Sequence, residues 1–161
     1  PALMRERMLA RSDIITPNLF ELELLADTRI TDAPSVRRAL DCVHRLGPRI
    51  VLVTSWRRDP HNQRERTGML VSGPNGIHTL EVPLIPLEPL PHGGGDLSAA
   101  LFLAQYLETG DEKCSMERTA NAVYEVYRIT AEKGGGELAL IASQEAFLAR
   151  ELRFLSQALE D

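Results

Sequence analysis

Apolar and polar positions follow two rhythms along this chain of 161 residues. Residues 49–54, RIVLVT, form a continuous β-branched run of the kind buried on both faces of a parallel sheet. Residues 13–16 make a shorter apolar strand, stopped by Pro17. Residues 67–72 and 76–82 read as two further strands, joined by Gly73-Pro74-Asn75-Gly76, a hairpin signal. Elsewhere the period is helical. Residues 2–10 read as the end of one helix and residues 18–25 as another. Val36, Ala39, Leu40, Val43 and Leu46 form the stripe of a helix that opens at Thr31-Asp32-Ala33-Pro34 and stops at Gly47-Pro48.

The second half is more helical. After the proline-rich crossover of residues 83–91, a glycine run leads into a helix that starts at about Asp96 and carries the apolar segment 97–107. Residues 109–111 break it. Ser115 is the expected cap of the next helix, whose stripe is Ala120, Val123, Val126, Tyr127 and Ala131, with Gly134-Gly135-Gly136 ending it. Residues 137–142 fit either strand or helix, and Ser143 is the expected cap of a closing helix through Leu159. Helices alternating with short strands make an α/β fold. The length suits one domain.

Composition narrows the function. Hydrophobic and charged fractions of 43% and 25% are those of a globular chain, and the net charge of −5 argues against a general nucleic-acid binder. Cys42 and Cys114 stand apart, as reduced, buried thiols of a cytoplasmic protein do. No apolar run is long enough to span a bilayer. The four histidines form no zinc spacing, and there is no GxSxG elbow. Residues 56–66 carry four arginines, diluted by Asp59 and Glu65, and read as a solvated loop.

Three places carry candidate chemistry. Gly93, Gly94 and Gly95 run into Asp96; such a turn aims several N–H groups one way, and a helix start favours anions. Asp96 then suits either a base that takes a hydroxyl proton in phosphoryl transfer or an N-cap. Asn18 and Glu21 are spaced as a capping box, while Glu21 also stands at a strand's carboxyl end, where a carboxylate can organise Mg²⁺ water around phosphates. Thr54 and Ser55 end the central strand, the usual position of ligand contacts in open α/β sheets, though hydroxyls there also serve the backbone.

Taken in order, strand–TPNLFELELL, strand–VLVTS, hairpin and HGGGDLSAALFLA resemble the ribokinase-like superfamily, and within it the pyridoxal kinases, over residues 2–145. Thr16, Pro17, Asn18 and Glu21 match a T-P-N-x-x-E motif, Thr54 and Ser55 a strand-end pair, and Gly93, Gly94, Gly95 and Asp96 the G-x-G-D signature. The resemblance implies a three-layer Rossmann-like ribokinase fold, with residues 1–161 as one domain: the carboxyl-terminal, nucleotide-binding half, with a partial, mostly parallel sheet and without the amino-terminal substrate half. It implies ATP-dependent phosphorylation of the 5′-hydroxymethyl group of a B6 vitamer, with Mg²⁺. Asp96 would be the base and Gly93, Gly94 and Gly95 the anion hole. Thr16, Glu21, Thr54 and Ser55 would bind nucleotide, with Glu21 reaching Mg²⁺ through water. A homodimer and a cytoplasmic setting, with no nucleic-acid or membrane partner, complete the implied picture; the isolated chain would be inactive.

Two positions depart from the family pattern. Gly94 stands where many members carry Thr, Val or Ala, and Ser98 where many carry Phe. Two other readings accompany the first: a related kinase acting on a hydroxymethylpyrimidine or a sugar, and a non-catalytic nucleotide-binding domain. The expected fold should bring Thr16, Thr54 and the glycine turn together on one rim of the sheet, as a nucleotide site there requires.

Overall fold

The computed structural model describes residues 7–57 and 65–160. Its sheet has five strands in the order β1 (Ile14–Ile15), β2 (Ile50–Trp56), β3 (Arg66–Gly73), β4 (Gly76–Pro83) and β5 (Gln157–Ala158). Only β1 and β2 run parallel; β2–β3, β3–β4 and β4–β5 are antiparallel. The mostly parallel sheet expected from the family resemblance is thus corrected. The reason lies in Pro74 and Asn75: a two-residue connection reverses the chain, whereas a parallel neighbour needs a long crossover.

Among the described residues four helices flank the sheet: α1 (Leu19–Ala26), α2 (Ala33–Arg45), α3 (Gly94–Thr109) and α4 (Glu112–Glu132). Residues of β2 alternate between the two faces. Val51 and Val53 pack with Leu22, Val36, Ala39, Leu40 and Val43 of α1 and α2. Ile50 and Leu52 pack with Phe102, Met116, Ala120 and Tyr124 of α3 and α4, joined by Met69, Val71, Leu80 and Val82. The result is the expected three-layer α/β arrangement, with β2 buried on both faces. Burying each such side chain contributes about 1.5–3 kcal/mol. Among the described residues no helix is long and apolar enough to cross a membrane.

Helix ends follow the local chemistry, with two corrections. Asn18–Glu21 and Asp32–Ser35 both form capping boxes. Helix α4 is capped by Asp111, which accepts from Cys114 N at 2.7 Å, and not by Ser115. Ser115 is buried, and its hydroxyl donates to Asp111 O at 2.6 Å. The expected helix of residues 2–10 falls partly outside the described residues, and Leu9–Arg11 form a 3-10 turn. The arginine loop also lies mostly outside them. Both cysteines are free, and each is half-buried, not buried.

The closing helix is the largest departure. Residues Ile141–Phe147 form a 3-10 turn with Ser143 buried inside it, and the chain then runs irregularly, through several bends, into β5. Side chains of α4 take up its backbone groups. Glu117 Oε1 accepts from Ser156 N at 2.9 Å and Oγ at 2.6 Å. Asn121 Oδ1 accepts from Arg153 N and Phe154 N, while Nδ2 donates to Phe154 O. Leu159 then enters the α1–α2 core. These tertiary bonds replace the helical ones that the spacing predicted.

A similar clamp fixes the hairpin. The Glu112 carboxylate, 2% exposed, accepts from Asn75 N at 2.7 Å and Asn75 Nδ2 at 3.1 Å. Glu112→Ala leaves the turn's N–H without its partner and is expected to cost about 2 kcal/mol. A urea-unfolding midpoint unchanged from the parent would show that the clamp contributes nothing.

Candidate active site

The site begins where β2 stops being regular. Ser55 adopts φ 57°, a left-handed conformation, and the β2–β3 register shifts between Thr54 and Trp56. The bulge inverts the side-chain parity: Trp56 joins Val51 and Val53 in the α1–α2 core, two positions that strict alternation would not group with it. Thr54 and Ser55 are left at the rim, only partly covered. Thr54 N donates to Pro17 O at 2.9 Å, and Asn18 bridges Thr54, so the Thr16-Pro17-Asn18 segment lies beside this strand end.

The glycine turn supplies the facing wall. Helix α3 starts at Gly94, two residues before the expected position, with Gly93 as N-cap at φ 90°, ψ 0°. Its first intrahelical bond is Leu97 N to Gly93 O at 2.9 Å. The N–H groups of Gly94, Gly95 and Asp96 therefore lack helical acceptors and remain as donors, next to the positive end of a 16-residue helix. Asp96 is the third helical residue, not the cap, which removes the capping alternative for it. It is exposed, and no hydrogen bond or ion pair among the described residues engages it. Ser98 is buried and donates to Gly94 O at 2.8 Å.

A cavity of about 430 Å³ lies between these walls. Thr54, Ser55, Gly93, Gly94, Gly95 and Ser98 line it together with Gly68, His92, Arg57, Val123 and Tyr127. The size is that of a small-ligand site. Nε of Arg57 is buried with no hydrogen-bond partner among the described residues, which leaves cationic donor capacity at the wall. Thr16, Glu21 and Asp96 are not among the lining residues. Glu21 is exposed, and its Oε2 accepts from Asn18 N at 2.8 Å, so the local capping role is observed.

Tyr127 is the residue that sequence reasoning misplaces. Its apolar-stripe position on α4 reads as core, yet its hydroxyl reaches the start of α3. A Cβ at Gly94 would overlap that oxygen and stand 3.2 Å from Cζ. Burial raises the phenol pKa above its ordinary 10.0, so the group is a neutral donor throughout the physiological range. The signal that could have found it is its chemistry: a tyrosine in a core stripe carries a polar end that needs a partner.

Comparison with known proteins agrees with this arrangement. The phosphomethylpyrimidine kinase family matches residues 1–139. The chain is 39% identical over 154 residues to pyridoxal kinase PdxY of Rubrobacter xylanophilus, covering 96% of this chain and 52% of that protein. For pyridoxal kinase PdxY of Corynebacterium diphtheriae the identity is 35%, over 96% of this chain and 53% of the relative. PdxK of Plasmodium falciparum, solved with AMP-PNP and PL, gives a TM-score of 0.79 at 24% identity, over 96% of this chain and 52% of that one. Pyridoxal kinase of Leishmania donovani, in complex with ADP and pyridoxine, gives 0.79 at 23% identity, over 95% and 53%. At such identities the likeness establishes the fold. The chain spans about half the length of the curated relatives it matches. With the family match running from the first strand through the glycine turn to the end of α4, the chain belongs to the phosphomethylpyrimidine kinase family and has the ribokinase-like fold.

Proposed function

We propose that residues 1–161 are the nucleotide-binding half of a kinase that moves the γ-phosphoryl group of ATP to the 5′-hydroxymethyl group of pyridoxal, pyridoxine or pyridoxamine, in B6 salvage. One observation carries the reading: the strand-end hydroxyls of Thr54 and Ser55 line the same cavity as a glycine turn with three unpaired N–H groups. The curated relatives are named pyridoxal kinases, and structural neighbours hold AMP-PNP or ADP. The remainder of the vitamer pocket would come from outside these residues. A cytoplasmic setting is supported by the two free thiols. A homodimer rests on the family resemblance alone.

In this reading the N–H groups at Gly94 and Gly95 offset charge on the transferred phosphoryl group. Asp96 accepts the proton of the hydroxymethyl group as its oxygen bonds to phosphorus and the bridging P–O bond to ADP breaks. Thr54 and Ser55, in the cavity wall, hold the nucleotide, and Thr16, outside that lining, would reach it from the neighbouring strand end. Mg²⁺, bound with ATP, neutralises phosphate charge. Among the described residues no group of three His, Cys, Asp or Glu side chains forms a metal cage. Nucleotide-bound Mg²⁺ needs only one or two carboxylates besides the phosphates; Glu21, outside the cavity lining and with Oε2 engaged by Asn18 N, would serve it only through water.

The matched family is described as a phosphomethylpyrimidine kinase, and a hydroxymethylpyrimidine is the second candidate substrate. Both acceptors present a hydroxymethyl group on a heteroaromatic ring, so the chemistry is shared. A coupled ADP-release assay on the full protein, with each acceptor in turn, decides between them; pyridoxal is expected to give the higher kcat/KM. Residues 1–161 alone are expected to bind Mg·ATP weakly in calorimetry and to turn it over poorly or not at all. Robust pyridoxal phosphorylation by them would show that the vitamer site is misplaced.

Two substitutions test the roles. Asp96→Asn in the full protein keeps size and removes the base; turnover should fall by about 10²- to 10⁴-fold, with melting temperature and ATP affinity nearly unchanged. Parental turnover would place the base elsewhere. Glu21→Gln retains the capping box, since Gln serves at that position, but removes the charge. The Mg²⁺ concentration for half-maximal rate should rise while melting temperature holds. An unmoved Mg²⁺ dependence would leave Glu21 a helix cap only.

A further inference from the structure

Position 94 and position 127 fit each other in a way that neither sequence motif explains. Gly94 is the first residue of α3, and Tyr127 sits in the fifth turn of α4, yet the phenol oxygen occupies the space that any side chain at position 94 would need. Tyr127 is half-buried, and its hydroxyl stands against the start of α3. Among the described residues it has no hydrogen-bond partner. It lines the cavity beside Gly93, Gly95 and Ser55. A hydroxyl donor at the mouth of an anion turn, with no protein acceptor among the described residues, is free to serve a ligand there.

We propose that the Tyr127 hydroxyl hydrogen-bonds the phosphate chain of the bound nucleotide, taking the place of a side chain at position 94. The proposal rests on the nucleotide-site reading above and deepens it. Gly94 is then required not for backbone freedom but for room: φ is positive at Gly93, whereas Gly94 is helical, and there a Cβ is excluded by Tyr127 alone among near neighbours. The two residues act as one unit. Phosphate contact at this turn comes from α4 as well as α3, so the packing of the two helices sets the geometry of the anion site.

The test uses the full protein and calorimetry with Mg·ATP and, separately, AMP. Tyr127→Phe keeps the ring and its packing, so melting temperature should hold. Losing a bond to a charged phosphate should weaken ATP binding by about tenfold, while AMP affinity, which lacks the outer phosphates, stays near the parent's. Gly94→Thr alone should weaken ATP binding at least as much, because its Cβ meets the phenol. Gly94→Thr combined with Tyr127→Leu should recover ATP affinity to within about threefold of the parent, a coupling that independent sites would not show. Unchanged ATP affinity in Tyr127→Phe, in a parent that binds Mg·ATP, overturns the assignment and leaves the nucleotide site standing. Equal losses for ATP and AMP overturn it too, because they mark a ring or packing effect. A parent that binds no Mg·ATP overturns the nucleotide site and this proposal with it.

Discussion

Strand β2 has to be buried on both faces and yet end in polar groups, and the bulge at Ser55 is how the chain meets both demands. A regular strand would send Thr54 to one helical layer, Ser55 to the other and Trp56 back to the first. The left-handed residue adds a step, so Trp56 seals the α1–α2 core while Thr54 and Ser55 stay at the rim. Such a non-glycine residue costs on the order of 1–3 kcal/mol. The surrounding structure offsets that cost: β3 registers on both sides of the bulge, and Pro17 O receives the Thr54 N–H. The rim exists because the core on either side of it is fixed.

Local rules set what can be read from the sequence. The stripe Val36, Ala39, Leu40 and Val43 is buried, the Pro74-Asn75 hairpin forms, and Asn18 and Glu21 cap α1, because each depends on neighbours within a few residues. Where long-range partners decide, local reading fails. Residues 148–159 have helical spacing, but Glu117 and Asn121, more than thirty positions earlier, claim their backbone donors and draw them into an irregular path that ends in β5. The parallel sheet fails for a different reason. A run such as IVLV shows that a strand is buried on both faces, not which way its neighbours run; the antiparallel hairpin beside it, covered by α4, buries it equally well.

The candidate site divides along the same line. The glycine turn and the strand-end hydroxyls are legible as motifs, and they share one cavity. Arg57 and Tyr127 are not, since one sits in a polar stretch that reads as solvated loop and the other in an apolar stripe that reads as core. Only the fold brings a guanidinium and a phenol to the walls of the cavity that the glycines line.

Helix periodicity then explains why Asp96 does not line the cavity that its motif opens. At about 100° per residue, Gly94 and Ser98 fall on one face of α3, four positions apart, and Asp96 lies roughly 200° from Gly94. Gly94 and Ser98 both line the cavity, whereas Asp96 is exposed. A transfer reaction needs that separation. The N–H groups at the helix start must meet the phosphoryl group from the donor's side, and the base must meet the acceptor hydroxyl from the other, with the two oxygens in line across phosphorus. One helix end can serve both sides only if its first turn is narrow, and glycine at positions 93, 94 and 95 leaves no side chain between them. In the proposed reading, then, the acceptor meets the exposed face of Asp96 while the cavity of the described residues serves the donor.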